Sequence, residues 1–179
     1  MKFEKCEISG LIICKPKIIN DKRGFFTETF RKDLFDNFVG EKSSFCQTNC
    51  SESNYGTIRG LHFQISPSSQ SKLVSVQSGE ILDVVLDLRR NSKTFGKYFS
   101  IELSQKNSKS IYIPPGFIHG FLGKEKENIV VYSCTNYRNK NSEIGVIWND
   151  KQLNIDWKIK KPILSKKDSK NIPFEKLKI

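Results

Sequence analysis

The chain has 179 residues, enough for one domain with a sizeable core and short of two full domains, so residues 1–179 are expected to form a single unit. No apolar run is long enough to span a bilayer and the N-terminus lacks the apolar core of a secretory signal, which leads to the expectation of a soluble, cytoplasmic protein with no membrane partner. The net charge of +11 invites nucleic acid, but the basic residues are largely lysines spread through loops and tail, with no recognised nucleic-acid motif; a basic surface suited to a small anionic ligand remains, and no nucleic-acid partner is expected.

Thirteen Phe, five Tyr and two Trp supply an aromatic interior. Turn residues recur at short intervals and long helical periodicities are scarce, which predicts an all-β sandwich or barrel. The five cysteines form an odd set without a C-x-x-C pair, so reduced, mostly buried thiols are expected. His62 and His119 are the only histidines; a three-His metal site cannot be assembled, and the chemistry is expected to run without metal or cofactor.

In chain order, residues 7–19 predict β segments broken by Gly10 and Pro16. Asp21-Lys22-Arg23-Gly24 is a turn into a strand from Phe25 to Phe30, where Phe26, Glu28 and Phe30 share a face. Arg31 to Phe38 places Leu34, Phe35 and Phe38 at helical spacing before Gly40, a short helix. Phe45 to Asn49 is extended, with Gln47 and Asn49 on one side.

The segment Thr57-Ile58-Arg59-Gly60-Leu61-His62-Phe63-Gln64 alternates like a strand leaving a turn. It joins a candidate base, His62, to a cationic fork suited to phosphate, Arg59, and Gly60 between them allows close approach of backbone or ligand. Taken alone, such a segment more often holds a hydrogen-bonded core histidine than a catalyst, and its arginine also suits a structural carboxylate.

A polar loop, Ser66 to Ser71, precedes the run Lys72 to Val76. Ser78-Gly79 predicts a hairpin turn into Glu80 to Leu88, where Leu82, Val84, Leu86 and Leu88 alternate with Asp83 and Asp87. Tyr98 to Leu103 is a further strand, followed by a polar loop from Ser104 to Ser110. Ile113-Pro114-Pro115-Gly116 forces a rigid bend just before His119. Asn128 to Cys134 is a strand with Val130, Tyr132 and Cys134 on one face, and a tyrosine hydroxyl buried there needs a partner. Trp148 to Asp168 mixes turns with short apolar runs, and the basic tail beyond it is expected to be peripheral.

Five motifs, Asp21-x-Arg23-Gly24-Phe25-Phe26-x-Glu28, Arg59-Gly60-Leu61-His62-Phe63-Gln64, Asp87-Leu88-Arg89-Arg90-x-Ser92-x-Thr94-Phe95-Gly96, Ile113-Pro114-Pro115-Gly116-Phe117-x-His119-Gly120-Phe121 and Leu164-Ser165-x-Lys167-Asp168, together resemble the dTDP-4-dehydrorhamnose 3,5-epimerase family over nearly the whole chain. The resemblance implies a cupin-type jelly roll, a homodimer that exchanges strands, no metal, and action on nucleotide-linked 4-keto-6-deoxy sugars. Protons on C3 and C5 of such a sugar flank a carbonyl; inversion needs a base, a stabiliser for the enolate oxygen and an acid across the ring.

By the resemblance His62 is the base, Asp168 the carboxylate that orients it, Lys72 the cation near the C4 oxygen and Tyr132 the far-side acid. Arg59 and Arg23 match pyrophosphate-holding positions, Arg23 from the neighbouring subunit. Phe26, Glu28, Gln47, Asn49, His119 and Lys167 match positions lining nucleotide or sugar, although His119 equally fits a pocket wall and Glu28 a sheet edge. The chain departs from the family at Tyr137-Arg138, where Arg replaces a second aromatic near the nucleotide base. Arg138 can stack on a base or offer a fork to a different one, so a guanosine-linked or heptose substrate stays open, and C3-only inversion stays open because the resemblance extends to members that act on C3 alone. The rival from outside the enzymes is a jelly roll that binds anionic sugar or nucleic acid without catalysis.

Overall fold

A computed structural model describes residues 1–178, in which the alternating apolar runs become thirteen strands, one α-helix and three short 3-10 turns. The strands are β1 (Lys2–Lys5), β2 (Ile12–Lys15), β3 (Ile18–Asp21), β4 (Gly24–Thr27), β5 (Gln47–Asn54), β6 (Ile58–Gln64) and β7 (Lys72–Ser78). They continue with β8 (Glu80–Asp87), β9 (Tyr98–Ser104), β10 (Ser110–Ile113), β11 (Phe117–Gly123), β12 (Glu127–Cys134) and β13 (Glu143–Gly145). One antiparallel sheet runs β1-β2-β10-β7-β12-β5 and the other β13-β6-β11-β8-β9, while β3 and β4 form a separate ribbon. Face to face, the two large sheets make the expected jelly-roll sandwich.

Three apolar layers hold it. Between the sheets lie Leu11, Val74, Ile81, Val85, Leu103, Ile111 and Phe117, all buried. The outer face of the six-stranded sheet is covered by α1 (Lys32–Val39), whose Phe35 is 1% exposed and meets Tyr112 edge-on at 4.9 Å. The helix stops where expected: Gly40 takes a left-handed φ of 83° and its N–H closes on Asp36 O at 2.8 Å. The outer face of the five-stranded sheet is covered by the C-terminal segment through Leu153, Trp157 and Phe174. Phe174 is buried and its N–H donates to Asp150 at 2.8 Å, so the tail is part of the core and not peripheral.

One further expectation is corrected. Ser78-Gly79 is a corner between sheets, not a hairpin, because both hydrogen-bonding edges of β7 are taken by β10 and β12, and those of β8 by β11 and β9. The corner is tied by Asn128, fully buried, which accepts from the N–H of Glu80 and donates to Ser53 O. Asp83 and Asp87, which alternate with the apolar residues of β8, are both 0% exposed, since the inner and outer faces of β8 are each covered. Asp87 is satisfied by Arg89, Ser92 and Thr94 and braces the loop after β8. Strands β1, β10, β11 and β13 had no counterpart in the sequence reading, which gave only the bend between β10 and β11. Of the thiols, Cys14 and Cys134 are buried, Cys6 is half-buried, and Cys46 and Cys50 are exposed. No helix among the described residues is long and apolar enough to cross a membrane.

Candidate active site

Strict alternation along β6 would turn Arg59 and His62 to opposite faces, being three residues apart. A bulge reconciles them. Arg59 pairs with Phe121 of β11 and His62 with His119, so three steps of β6 match two of β11. Gly60 permits this, because a Cβ there would lie 2.6 Å from Gly120 Cα and 2.9 Å from His119 O. The neighbour that comes close to Gly60 is thus backbone, and both Arg59 and His62 face the same cavity.

His62 Nε2 and Asp168 Oδ1 are 2.6 Å apart although 106 residues separate them in sequence. The C-terminal segment is pinned on either side of the aspartate. Ile163 bridges to Thr57 and accepts the Ile58 N–H, and Ile172 bridges to Val146 and accepts the Ile147 N–H. A 3-10 turn, Asp168–Lys170, lies between these anchors, and Ser165 Oγ accepts the Asp168 N–H at 3.0 Å. Burial opposes the charge on Asp168, yet the hydrogen bond and charge of His62, with help from Ser165 and the backbone at Gly60, hold the carboxyl below its ordinary range. The other ring nitrogen of His62, Nδ1, has no hydrogen-bond partner among the described residues and lies on a residue that lines the cavity.

The facing wall is built by register. Tyr132 of β12 sits opposite Asn49 of β5 and Val74 of β7, and Cys134 opposite Gln47 and Lys72. The period-two alternation therefore turns Gln47, Asn49, Lys72 and Tyr132 inward together. The Tyr132 hydroxyl and the Lys72 amine have no hydrogen-bond partner among the described residues. Burial pushes the Tyr132 phenol up, assisted by Cys134, and pulls the Lys72 ammonium down, against the opposing pull of Cys134, Glu143 and Asp83. His119 stands beside His62 with its Nε2 at 2.7 Å from Asp83 Oδ2.

These residues enclose a cavity of ≈ 530 Å³ lined by His62, Tyr132, Asp168, Lys72, Asn49, Arg59, His119, Arg138 and Lys167, nine of the sequence-predicted site residues. Gln47 lines a narrow extension that shares Asn49, His62, Lys72, Tyr132 and Arg138. Gln47 accepts the Arg138 N–H at 3.0 Å and donates to Asn49 at 2.7 Å. Arg59 is steadied by Ser53 and by Glu52 O. Arg23, Phe26 and Glu28 are not brought in: they sit on or just after the β3-β4 ribbon, exposed, and Arg23 is occupied by Asp21.

Sequence reasoning missed Glu143, which binds both Arg138 and Lys167, and the buried partner Asp83. Alternation placed Asp83 among the apolar residues of β8 but did not show that it is buried. Glu143 gave no local signal at all. A second hollow of ≈ 530 Å³ on the outer face of the five-stranded sheet holds no histidine, and its Lys124 and Lys158 are already paired with glutamates and Asp156.

A free imidazole nitrogen braced by a carboxylate, a phenol and an ammonium around one partly desolvated space can remove a proton from carbon, stabilise the oxyanion so formed and return a proton from another direction. Comparison with known proteins agrees with such chemistry. The family model described as dTDP-4-dehydrorhamnose 3,5-epimerase matches residues 5–176. A dTDP-4-dehydrorhamnose 3,5-epimerase from Shigella flexneri is 44% identical over 94% of this chain and 93% of its own. The crystal structure of the enzyme of that name from Elizabethkingia anophelis superimposes with a TM-score of 0.92 at 42% identity, covering 98% of this chain and 97% of that one. A Legionella pneumophila dTDP-6-deoxy-D-glucose-3,5-epimerase solved with dTDP-4-keto-L-rhamnose gives 0.94 at 38% identity, covering 99% and 94%.

Proposed function

The chain belongs to the dTDP-4-dehydrorhamnose 3,5-epimerase family, and from that premise we propose that it inverts C3, C5 or both in a thymidine-diphosphate-linked 4-keto-6-deoxy sugar, with His62 as base and Tyr132 as acid. The observation that carries the assignment of roles is the common cavity of His62, Lys72 and Tyr132, in which the imidazole is bound by Asp168 through one nitrogen only. With the neutral ring, Nδ1 accepts the carbon-bound proton while Nε2–H donates to Asp168, whose charge then supports the imidazolium. Negative charge moves onto the C4 oxygen, where the Lys72 ammonium stabilises it in a site poor in water. The Tyr132 phenol protonates the same carbon from the opposite face and the configuration inverts. Arg59 is assigned to the diphosphate, with Asn49, Gln47, His119, Arg138 and Lys167 around the sugar and base.

The active unit is proposed to be a homodimer in which the β3-β4 ribbon crosses to a second copy. Support comes from Ile19, Phe25 and Phe26, which are 51, 52 and 67% exposed on a ribbon that joins neither large sheet. A second copy would cover them and deliver Arg23, Phe26 and Glu28 to a neighbouring cavity.

The test is incubation with the nucleotide 4-keto sugar in D2O. Deuterium is expected at C3 or C5, and the positions labelled, followed by proton NMR, report which centres invert. Unlabelled sugar recovered from a bound complex would leave only a binder. Screening the guanosine-linked analogue alongside reads the base preference.

A further inference from the structure

The second hollow lies behind the first, on the other side of the five-stranded sheet. Consecutive residues of β11 divide between the two: Phe121 lines the main cavity and Leu122 the hollow. Leu82 of β8 and Leu122 supply an apolar floor. The walls are Tyr98 of β9, Ile159 of the C-terminal segment, and Tyr55 from the turn between β5 and β6. At ≈ 530 Å³ the space equals the main cavity and falls within the range of small-molecule sites, about 300–1,000 Å³. No residue is shared between them.

Tyr55 is 64% exposed, yet the turn that carries it is tied down on both sides. The Gly56 N–H donates to Gly123 O, and Gly56 O accepts the Ile163 N–H, each at 2.9 Å. The C-terminal wall is pinned as well: Trp157 Nε1–H donates to Trp148 O at 2.7 Å, and the Asp156 N–H to the Tyr98 hydroxyl at 3.4 Å. A large aromatic ring is thus held in water beside a preformed hollow. Net charge does not select what enters, because the rim pairs Lys124 with Glu102 and Lys158 with Asp156 on a chain whose total is +11. What the rim leaves over is a mixture of donors and acceptors. The hydroxyls of Tyr55 and Ser100, Glu102 Oε2 and one N–H of Lys124 have no hydrogen-bond partner among the described residues.

We propose that this hollow binds a neutral saccharide, with the C–H face of a pyranose against Tyr55 and the leucine floor and its hydroxyls on the rim. A sugar hydroxyl both donates and accepts, which suits a rim that offers both. An anion would meet Glu102 and Asp156 as like charges. A wholly apolar ligand would strip water from the rim without replacing its hydrogen bonds. With both walls already fixed, little freedom is lost when the ring arrives.

Proton–nitrogen correlation NMR with methyl α-L-rhamnopyranoside, an uncharged deoxyhexoside, tests this. The Trp157 indole N–H and the backbone amides of Tyr55, Ser100 and Leu122 are expected to shift together and saturate, with a dissociation constant on the order of 1 mM. Tyr55→Ala should weaken binding about tenfold, and Ser100→Phe, which fills the hollow, should abolish it. Both positions are exposed and outside the main cavity, so both variants are expected to melt normally. Shifts confined to the main cavity, shifts at the hollow that survive both substitutions, or no shift at about tenfold above that concentration would overturn the proposal. Inorganic pyrophosphate and indole serve as the other arms. If either moves these signals while the saccharide does not, the hollow is an anion site or an apolar slot and the proposal falls.

Discussion

His62 with Asp168 and His119 with Asp83 are the same two groups joined at nearly the same distance, 2.6 and 2.7 Å, on directly paired residues of adjacent strands. Their surroundings differ. The His62 side chain is 24% exposed and Asp168 6%, whereas His119 is 9% exposed and Asp83 0%, with Asp83 Oδ1 buried and unpartnered. Asp168 arrives on a turn near the cavity mouth, while Asp83 sits mid-strand in β8, deep in the sheet. Hydrogen-bond geometry alone therefore does not separate a proposed base from a wall. What separates them is the greater exposure of the His62 ring and a carboxylate that leaves no buried oxygen without a partner.

The sharpest way to break this comparison is to remove each ring in turn. His62→Ala is expected to lower deuterium wash-in by about 10²–10⁴-fold, the usual weight of a general base, and His119→Ala by far less. Equal losses would erase the distinction. Next in size, Asp168→Asn should reduce wash-in about 10²-fold with the fold intact, because the ring loses both its orientation and the support for its charge. Asp83→Ala should instead act on stability, costing about 1–3 kcal/mol in urea unfolding because it strands the buried His119 nitrogen without a partner. A stability loss from Asp168→Asn exceeding that from Asp83→Ala would reverse the two assignments.

A smaller effect concerns the second proton transfer. Tyr132→Phe should depress net inversion more than wash-in, since it deletes the far-side donor and leaves the base; parallel losses would place Tyr132 elsewhere in the reaction. The smallest expected effect is on acid stability. Asp168 and Glu143 are more acidic in the folded chain than ordinary carboxyls, so the unfolded chain takes up their protons first as pH falls. The stability they contribute is complete above the ordinary carboxylate range and is withdrawn as pH falls through their folded values. Asp168→Asn should therefore flatten the acid limb of a plot of Tm against pH, and an unchanged limb would show that its charge contributes nothing to stability.

Much of the site was legible because strands write their faces into alternate residues. Gln47 with Asn49, and Val130 with Tyr132 and Cys134, needed only period two. The motif resemblance named Asp168, which nothing local in the tail would have singled out. The ribbon residues Arg23, Phe26 and Glu28 were named in the same way, and within one chain they stay outside the cavity. Glu143 escaped because β13 is only three residues long and its partners come from loops.

By itself, the amino-acid sequence determined the all-β class, the short helix with its Gly40 stop and the bend at Pro114-Pro115, since these depend on side-chain period and backbone freedom within a few residues. Tertiary structure alone decided that Gly79 is a corner between sheets, that Asp83 and Asp87 are buried, and that a bulge at Gly60 turns Arg59 toward the same cavity as His62. Those outcomes depend on which strand claims each hydrogen-bonding edge and on what covers each face. Both are settled by residues far away in the chain, and no local pattern encodes them.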